Sequence, residues 1–203
     1  MRQGFLEHSE YLQVRNALPD HLRAIFVVAY HAGMRLGELR KIRWPQIDLV
    51  AGEIRIEKKQ AKNEEPRTIP IYSDMRPWIE MQKAERDQNW PSCPWVFHYL
   101  GKPIGGHIKG FVEACVKAGL PNLRPHDLRR SAMRNMERAA VPRSTAMKFS
   151  GHKTESVYRR YDIVSQQDIK LVAAKMENYL EGLKSRNITT KPLQWRRNPT
   201  DGS

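Results

Sequence analysis

The hydrophobic pattern changes period along the chain. Behind Pro19-Asp20, Leu22, Ile25, Phe26 and Ala29 recur at helical spacing, with Asp20 a candidate cap and Gly33 a stop. A second helical turn at 35–42 follows at once and ends at Trp44-Pro45. Ile47, Leu49, Ile54, Ile56, Ile69 and Ile71 then alternate with polar residues, as half-buried strands do, and Ala51-Gly52 supplies a turn. This predicts short antiparallel strands at 45–50, 53–58 and 67–71, with a polar, mobile hairpin tip at 58–66. Residues 73–88 return to helical spacing, and Pro91, Pro94 and Pro103 bound a short strand at 95–98. A short helix is expected within 1–16, and further helices at about 106–118, 126–139, 142–150, 153–160 and 166–183. From 185 on, prolines and bases without periodicity predict a disordered tail or a docking arm.

No repeat or internal linker interrupts this order, so the expected architecture is one mainly α domain with a small antiparallel sheet, an α+β fold. A chain of 203 residues, 40% hydrophobic, has room for one ordinary core. Charge adds more. Lys and Arg number 35 against 22 Asp and Glu, a net +13, which points to a polyanionic partner, most often nucleic acid. The longest apolar run, 24–30, is too short to cross a membrane. Two cysteines, Cys93 and Cys115, in unrelated contexts exclude a disulfide scaffold and a Cys-based zinc module. With no apolar segment behind Met1, a cytoplasmic location is expected.

Three clusters carry candidate chemistry. In Ala32-Gly33-Met34-Arg35-Leu36-Gly37-Glu38-Leu39, Arg35 and Glu38 fall on one helical turn, where the carboxylate could orient the guanidinium. In Pro125-His126-Asp127-Leu128-Arg129-Arg130, His126 and Arg129 open a helix, a favourable place for an anion. In Gly151-His152-Lys153-Thr154, followed by Tyr158-Arg159-Arg160-Tyr161, cations and tyrosines crowd one short stretch. Each alone also reads as an ordinary surface pair, a capped helix end or a packed tyrosine.

Taken in order, AGMRLGEL, AKNEEPRTIPI, HDLRRSA and SGHKTESVYRRY resemble the tyrosine recombinases, or phage-type integrases, over roughly residues 5–180. The resemblance implies that family's catalytic-domain fold. It places Arg35, Lys62, His126, Arg129, His152 and Tyr161 in the catalytic set and Glu38 beside Arg35. Tyr161, nine residues after His152, falls where the nucleophile falls, and Tyr158 is the alternative. Lys58 and Lys59 compete with Lys62 for the hairpin lysine. With Arg130, Lys153, Arg159 and Arg160 they are expected to contact DNA.

The chemistry fits those residue types. Breaking a phosphodiester requires a nucleophile, positive charge on the non-bridging oxygens and an acid for the departing oxygen. Tyr161 would hold the strand as a 3′-phosphotyrosine, Arg35, Arg129 and His152 would bind the oxygens, Lys62 would protonate the 5′ oxygen, and His126 would relay the tyrosine proton. No cofactor or metal is expected. The implied partners are double-stranded DNA and further copies of the chain on it, as a tetrameric synapse, in a bacterial or phage setting on the nucleoid. Residues 1–184 read as the catalytic domain and 185–203 as the basic tail. The core-binding domain that precedes the catalytic one in most members is absent from this sequence, so a fragment or a natural short form is expected. A type IB topoisomerase-like nicking-closing enzyme and a non-catalytic DNA-binding relative are the alternatives.

Overall fold

The computed structural model describes residues 4–57, 66–72, 74–105, 109–152, 154–158, 172 and 175–182. At its centre is the most apolar stretch of the chain. Helix α2 (Asp20–Ala32) buries Leu22, Ala24, Ile25, Phe26, Val27, Val28, Ala29, Tyr30 and Ala32, so that it is covered on nearly every side. Helix α1 (His8–Ala17) packs on it through Tyr11, whose ring stacks 4.1 Å from that of Tyr30 and 5.7 Å from that of Phe26. Asp20 proves to be the first helical residue and not the cap, a place held by Pro19. Its carboxylate instead pairs with Arg23 at 2.9 Å, in the turn where a negative charge suits the helix dipole.

Helix α3 (Leu36–Leu39) is shorter than the sequence suggests. After it, Trp44–Gln46 forms a 3-10 turn where a strand was expected. Pro45 has no N–H to give a ladder, and Gln46 accepts the Arg43 N–H at 2.9 Å while donating to the Arg55 carbonyl at 2.7 Å. The sheet is therefore compact: β1 (Ile47–Asp48), β2 (Glu53–Ile56) and β3 (Arg67–Pro70), in the order β1-β2-β3 and antiparallel throughout. Asp48 ends β1 by accepting the N–H groups of Val50 and Ala51. Ile54 lies opposite Ile69, both fully buried, and fixes the register.

Helix α4 (Arg76–Asn89) carries Pro77 in its first turn, and Arg76 ties it to the sheet by donating to the Leu49 carbonyl at 2.9 Å. The strand expected at 95–98 is displaced: Trp95 makes an isolated bridge to Arg43, while β4 (His98–Tyr99) pairs with β5 (Lys102–Pro103). Positive φ at both Leu100 and Gly101 gives the two-residue hairpin turn that sets this position.

Helices α5 (Lys109–Lys117), α6 (Pro125–Arg138), α7 (Arg143–Ser150) and α8 (Glu155–Tyr158) follow the predicted order. Ala132, Met133, Ala146 and Tyr158 form a small cluster between α6, α7 and α8, apart from the main core. The chain divides into two compact units, Met1–Ile163 and Val164–Ser203; in the second, 175–182 is helical, within the stretch expected to be so. The hairpin-tip residues 58–65 and the tail 185–203 lie outside the described residues.

Gly33 joins α2 to the site. It ends α2 with φ 59°, and a Cβ there would lie 2.7 Å from Met133 Cε and 2.9 Å from Ala132 Cβ. Only a glycine lets α2 and α6 approach this closely at a left-handed residue. Gly33→Ala is expected to destabilise the fold by at least about 2 kcal/mol, combining a strained backbone with overpacking. Gly37→Ala, where an added Cβ meets nothing within 4 Å, is expected to be neutral or slightly stabilising. Thermal denaturation of the pair checks this, and equal melting temperatures would contradict it.

Candidate active site

Met34 is buried, which anchors the chain just past Gly33 and carries Arg35 to the start of α3. Arg35 is the residue before the helix, with extended backbone, not a member of its first turn. Glu38 accepts its N–H at 3.2 Å, closing the open end of α3, and also stands 3.6 Å from its Nη1. The pairing expected from sequence is present, therefore, but it acts first on the backbone. The Arg35 side chain keeps 26% of its surface exposed, whereas Glu38 keeps 4%.

A second arginine closes on the same carboxylate. Arg67, the first residue of β3, donates from Nη2 to Glu38 Oε2 at 2.8 Å, and its side chain is 9% exposed. Burial raises the Glu38 pKa, but the Arg67 hydrogen bond and charge, with Arg35, outweigh it and hold the carboxyl below its ordinary value. Arg67 was not among the residues singled out from sequence. Its signal was available: it sits two positions before Ile69, on the inward face of β3, where a charged side chain requires a partner.

Among the described residues, Arg129 is the most enclosed cation of the site, and the whole residue keeps 2% exposure. The first turn of α6 prepares it: Pro125 begins the helix and Asp127 accepts the Arg124 N–H at 2.9 Å. Arg129 Nη1 donates to the carbonyls of Gly33 at 2.6 Å and Ser150 at 2.8 Å. Nη2 faces the His152 ring, 3.1 Å from Nδ1 and 2.9 Å from Nε2. Arginine only donates, so the imidazole must accept, which requires a neutral ring. Ser150 Oγ lies 2.6 Å from His152 Nδ1 and donates to the Ala146 carbonyl at 2.6 Å. A ring with Nδ1–H donating to Ser150 and Nε2 accepting from Arg129 satisfies the Ser150 contact and the shorter of the two Arg129 contacts. Ser150 is a second residue the sequence reading missed.

The electrostatics agree. Burial first, then the charges of Arg129, Arg35, His126 and Arg67, push the His152 pKa down to about 3. His126, exposed on the first turn of α6, is held below its usual value by partial desolvation and by Arg130, Arg129 and Arg35, against Asp127. Arg130 pairs with Asp127 at 3.4 Å. Arg35, Glu38, His126, Arg129 and His152 thus gather into one charged neighbourhood, although they come from α3, α6 and the turn after α7. Tyr158 is fully buried, its ring edge-on to that of His152 at 5.5 Å, which is a packing position. Lys58, Lys59, Lys62, Lys153, Arg159, Arg160 and Tyr161 lie outside the described residues.

A histidine that stays neutral when folded but titrates near 6.5 when unfolded binds its proton more readily in the unfolded chain. Its contribution to stability is therefore intact above that value and falls as the pH is lowered. We expect the His152 imidazole to remain neutral at pH 5, followed by NMR through its ring resonances; a midpoint above 6 would contradict the arrangement.

Comparison with known proteins now adds to the geometry. The sequence profile described as the phage integrase family matches residues 4–168. The tyrosine recombinase XerC of Escherichia coli O157:H7 is 30% identical over 158 residues, which cover 74% of this chain and 52% of that protein. The XerC of Lactobacillus delbrueckii subsp. bulgaricus is 31% identical over 172 residues, covering 81% and 55%. The chain thus spans about half the length of these curated relatives. Among solved structures, XerA recombinase superposes with a TM-score of 0.71 at 17% identity, covering 88% of this chain and 63% of that one. The catalytic core of lambda integrase gives 0.61 at 22%, covering 74% and 92%. The fold is shared with both, and with the profile running unbroken through all the motif segments, the chain belongs to the phage integrase family.

Proposed function

We propose that this chain is the DNA-breaking and rejoining domain of a site-specific recombinase working through a 3′-phosphotyrosine. The observation that carries the reading is that Arg129 joins the Gly33 and Ser150 carbonyls and meets the His152 ring, in a neighbourhood whose charges on that ring include Arg35 and His126. A site so rich in fixed arginine charge, with the buried carboxylates of Glu38 and Asp127 pairing some of it, suits a phosphodiester. The curated relatives supply the reaction class: they are tyrosine recombinases.

In this reading Tyr161 attacks phosphorus and the 5′ oxygen departs, taking its proton from Lys62. His126 relays the tyrosine proton. Arg35 and Arg129 face the non-bridging oxygens. His152, neutral as its low pKa requires, would turn its Nδ1–H from Ser150 toward one of them. The phosphotyrosine retains the energy of the broken bond, so a 5′ hydroxyl from another strand can reverse the step. Lys58, Lys59, Arg130, Lys153, Arg159 and Arg160 supply backbone contacts.

The partner is double-stranded DNA. Lambda integrase has been solved as a dimer on a core site and as a tetramer on a Holliday junction, and XerH on its difH substrate. By likeness to them we place several copies of this chain on DNA, as a tetrameric synapse, in the cytoplasm at the nucleoid. Residues 1–184 form the catalytic domain and 185–203 its basic tail.

The test uses nicked duplexes randomised around the nick, with covalent adducts read on denaturing gels. Tyr161→Phe is expected to abolish the adduct and leave duplex binding nearly unchanged. Adduct from Tyr161→Phe but not from Tyr158→Phe would reassign the nucleophile. Arg35→Ala is expected to slow adduct formation by roughly a hundredfold or more, as when a charge-stabilising donor is lost. Wild-type binding without any adduct would leave the chain a DNA-binding relative.

A further inference from the structure

Among the described residues, Arg67 is an enclosed cation of the site to which the proposed reaction gives no part. It is placed by the sheet: opposite Ile56 in register and two residues before the buried Ile69, it turns inward and meets Glu38 at 2.8 Å. The other side of the guanidinium is occupied as closely. A Cβ built on Gly151 would lie 3.0 Å from Arg67 Cζ and Nη1 and 3.3 Å from Nε. Arg67 therefore rests against the backbone of the Gly151–His152 turn, and the glycine, at φ 70°, is what allows both the turn and the approach.

These contacts put Arg67 between the same segments that Arg129 joins. Arg129 bridges residues 33 and 150 through their carbonyls, and Arg67 bridges residue 38 and residue 151 through a carboxylate and a close backbone contact. We propose that Arg67 is a positioning residue: it sets the distance between α3, with Arg35 at its head, and the turn that carries His152. Its effect on rate rests on the phosphotyrosine reading above; its effect on the His152 turn does not.

Lysine would keep the charge but lose the planar fork, and methionine would keep an unbranched stem alone. The full 203-residue chain is compared with Arg67→Met and Arg67→Lys, each well below its melting temperature. Single-turnover adduct formation on the nicked random duplexes, affinity for the same duplexes and the His152 titration by NMR are measured. In Arg67→Met the rate at saturating DNA is expected to fall about ten- to a hundredfold, as for a misplaced reactive group. The Kd should stay within about threefold, because Arg67 is held by Glu38 and the Gly151 turn and is given no contact with DNA in this reading. Arg67→Lys should recover part of the rate, and the His152 titration should move up in Arg67→Met, which loses a neighbouring positive charge.

Adduct formation by Arg67→Met at the wild-type rate would overturn the proposal. So would a deficit that disappears on cooling, since that marks lost stability alone. If Arg67→Met fails to fold, Arg67→Lys decides, and a wild-type rate there overturns it. If wild-type protein forms no adduct, the phosphotyrosine reading fails on its own. The His152 titration in Arg67→Lys, which keeps the charge, then decides for Arg67: a shift there supports the positioning role and an unchanged titration overturns it.

Discussion

The guanidinium of Arg129 reaches from α6 to two backbone carbonyls at once, those of Gly33 and Ser150, and the rest of the site depends on that bridge. A cation kept at 2% exposure is tolerated only where its N–H groups are satisfied, and here they are satisfied by the ends of two other helices. The end of α2 sets where Arg35 begins, and the end of α7 sets where His152 begins. Gly33 permits the bridge by letting α2 approach Ala132 and Met133 without a side chain between them. Replacing Arg129 would therefore remove a structural tie together with a charge, which makes Arg35 the cleaner probe of catalysis.

Around this bridge the site gathers like charge. Arg35, Arg67, Arg129 and His126 all depress the protonation of His152, and Glu38 is the carboxylate that pairs with Arg35 and Arg67. Folding supplies the energy that holds the three arginines together. In the proposed reaction an anion entering the site would relieve part of their mutual repulsion, with the arginines already in place before the phosphate arrives. The neutral His152 fits this balance, since a protonated ring would add one more positive charge and could not accept from Arg129.

Much of the fold was legible because helical spacing in α2 and strict alternation through Ile54, Ile56 and Ile69 are strong signals. The misread boundaries have local causes that periodicity does not see: Pro45 and the Gln46 side chain convert a strand start into a 3-10 turn, Asp48 stops β1 early, and positive φ at Leu100 and Gly101 moves a hairpin. In the site, Arg35, Glu38, His126, Arg129 and His152 could be named because their order along the chain resembles a known family. Arg67 and Ser150 could not, since their roles arise from contacts between distant segments. What sequence could have offered for Arg67 was a charge on the buried face of a strand.

The most direct measurement is a crystal structure of this chain bound to a nicked duplex. The expected result has the phosphate beside Arg35 and His152, with Arg129 still joined to the Gly33 and Ser150 carbonyls and Arg67 still paired with Glu38. A phosphate seated elsewhere on the surface, or Arg129 withdrawn from both carbonyls to reach it, would contradict a site assembled before DNA binds.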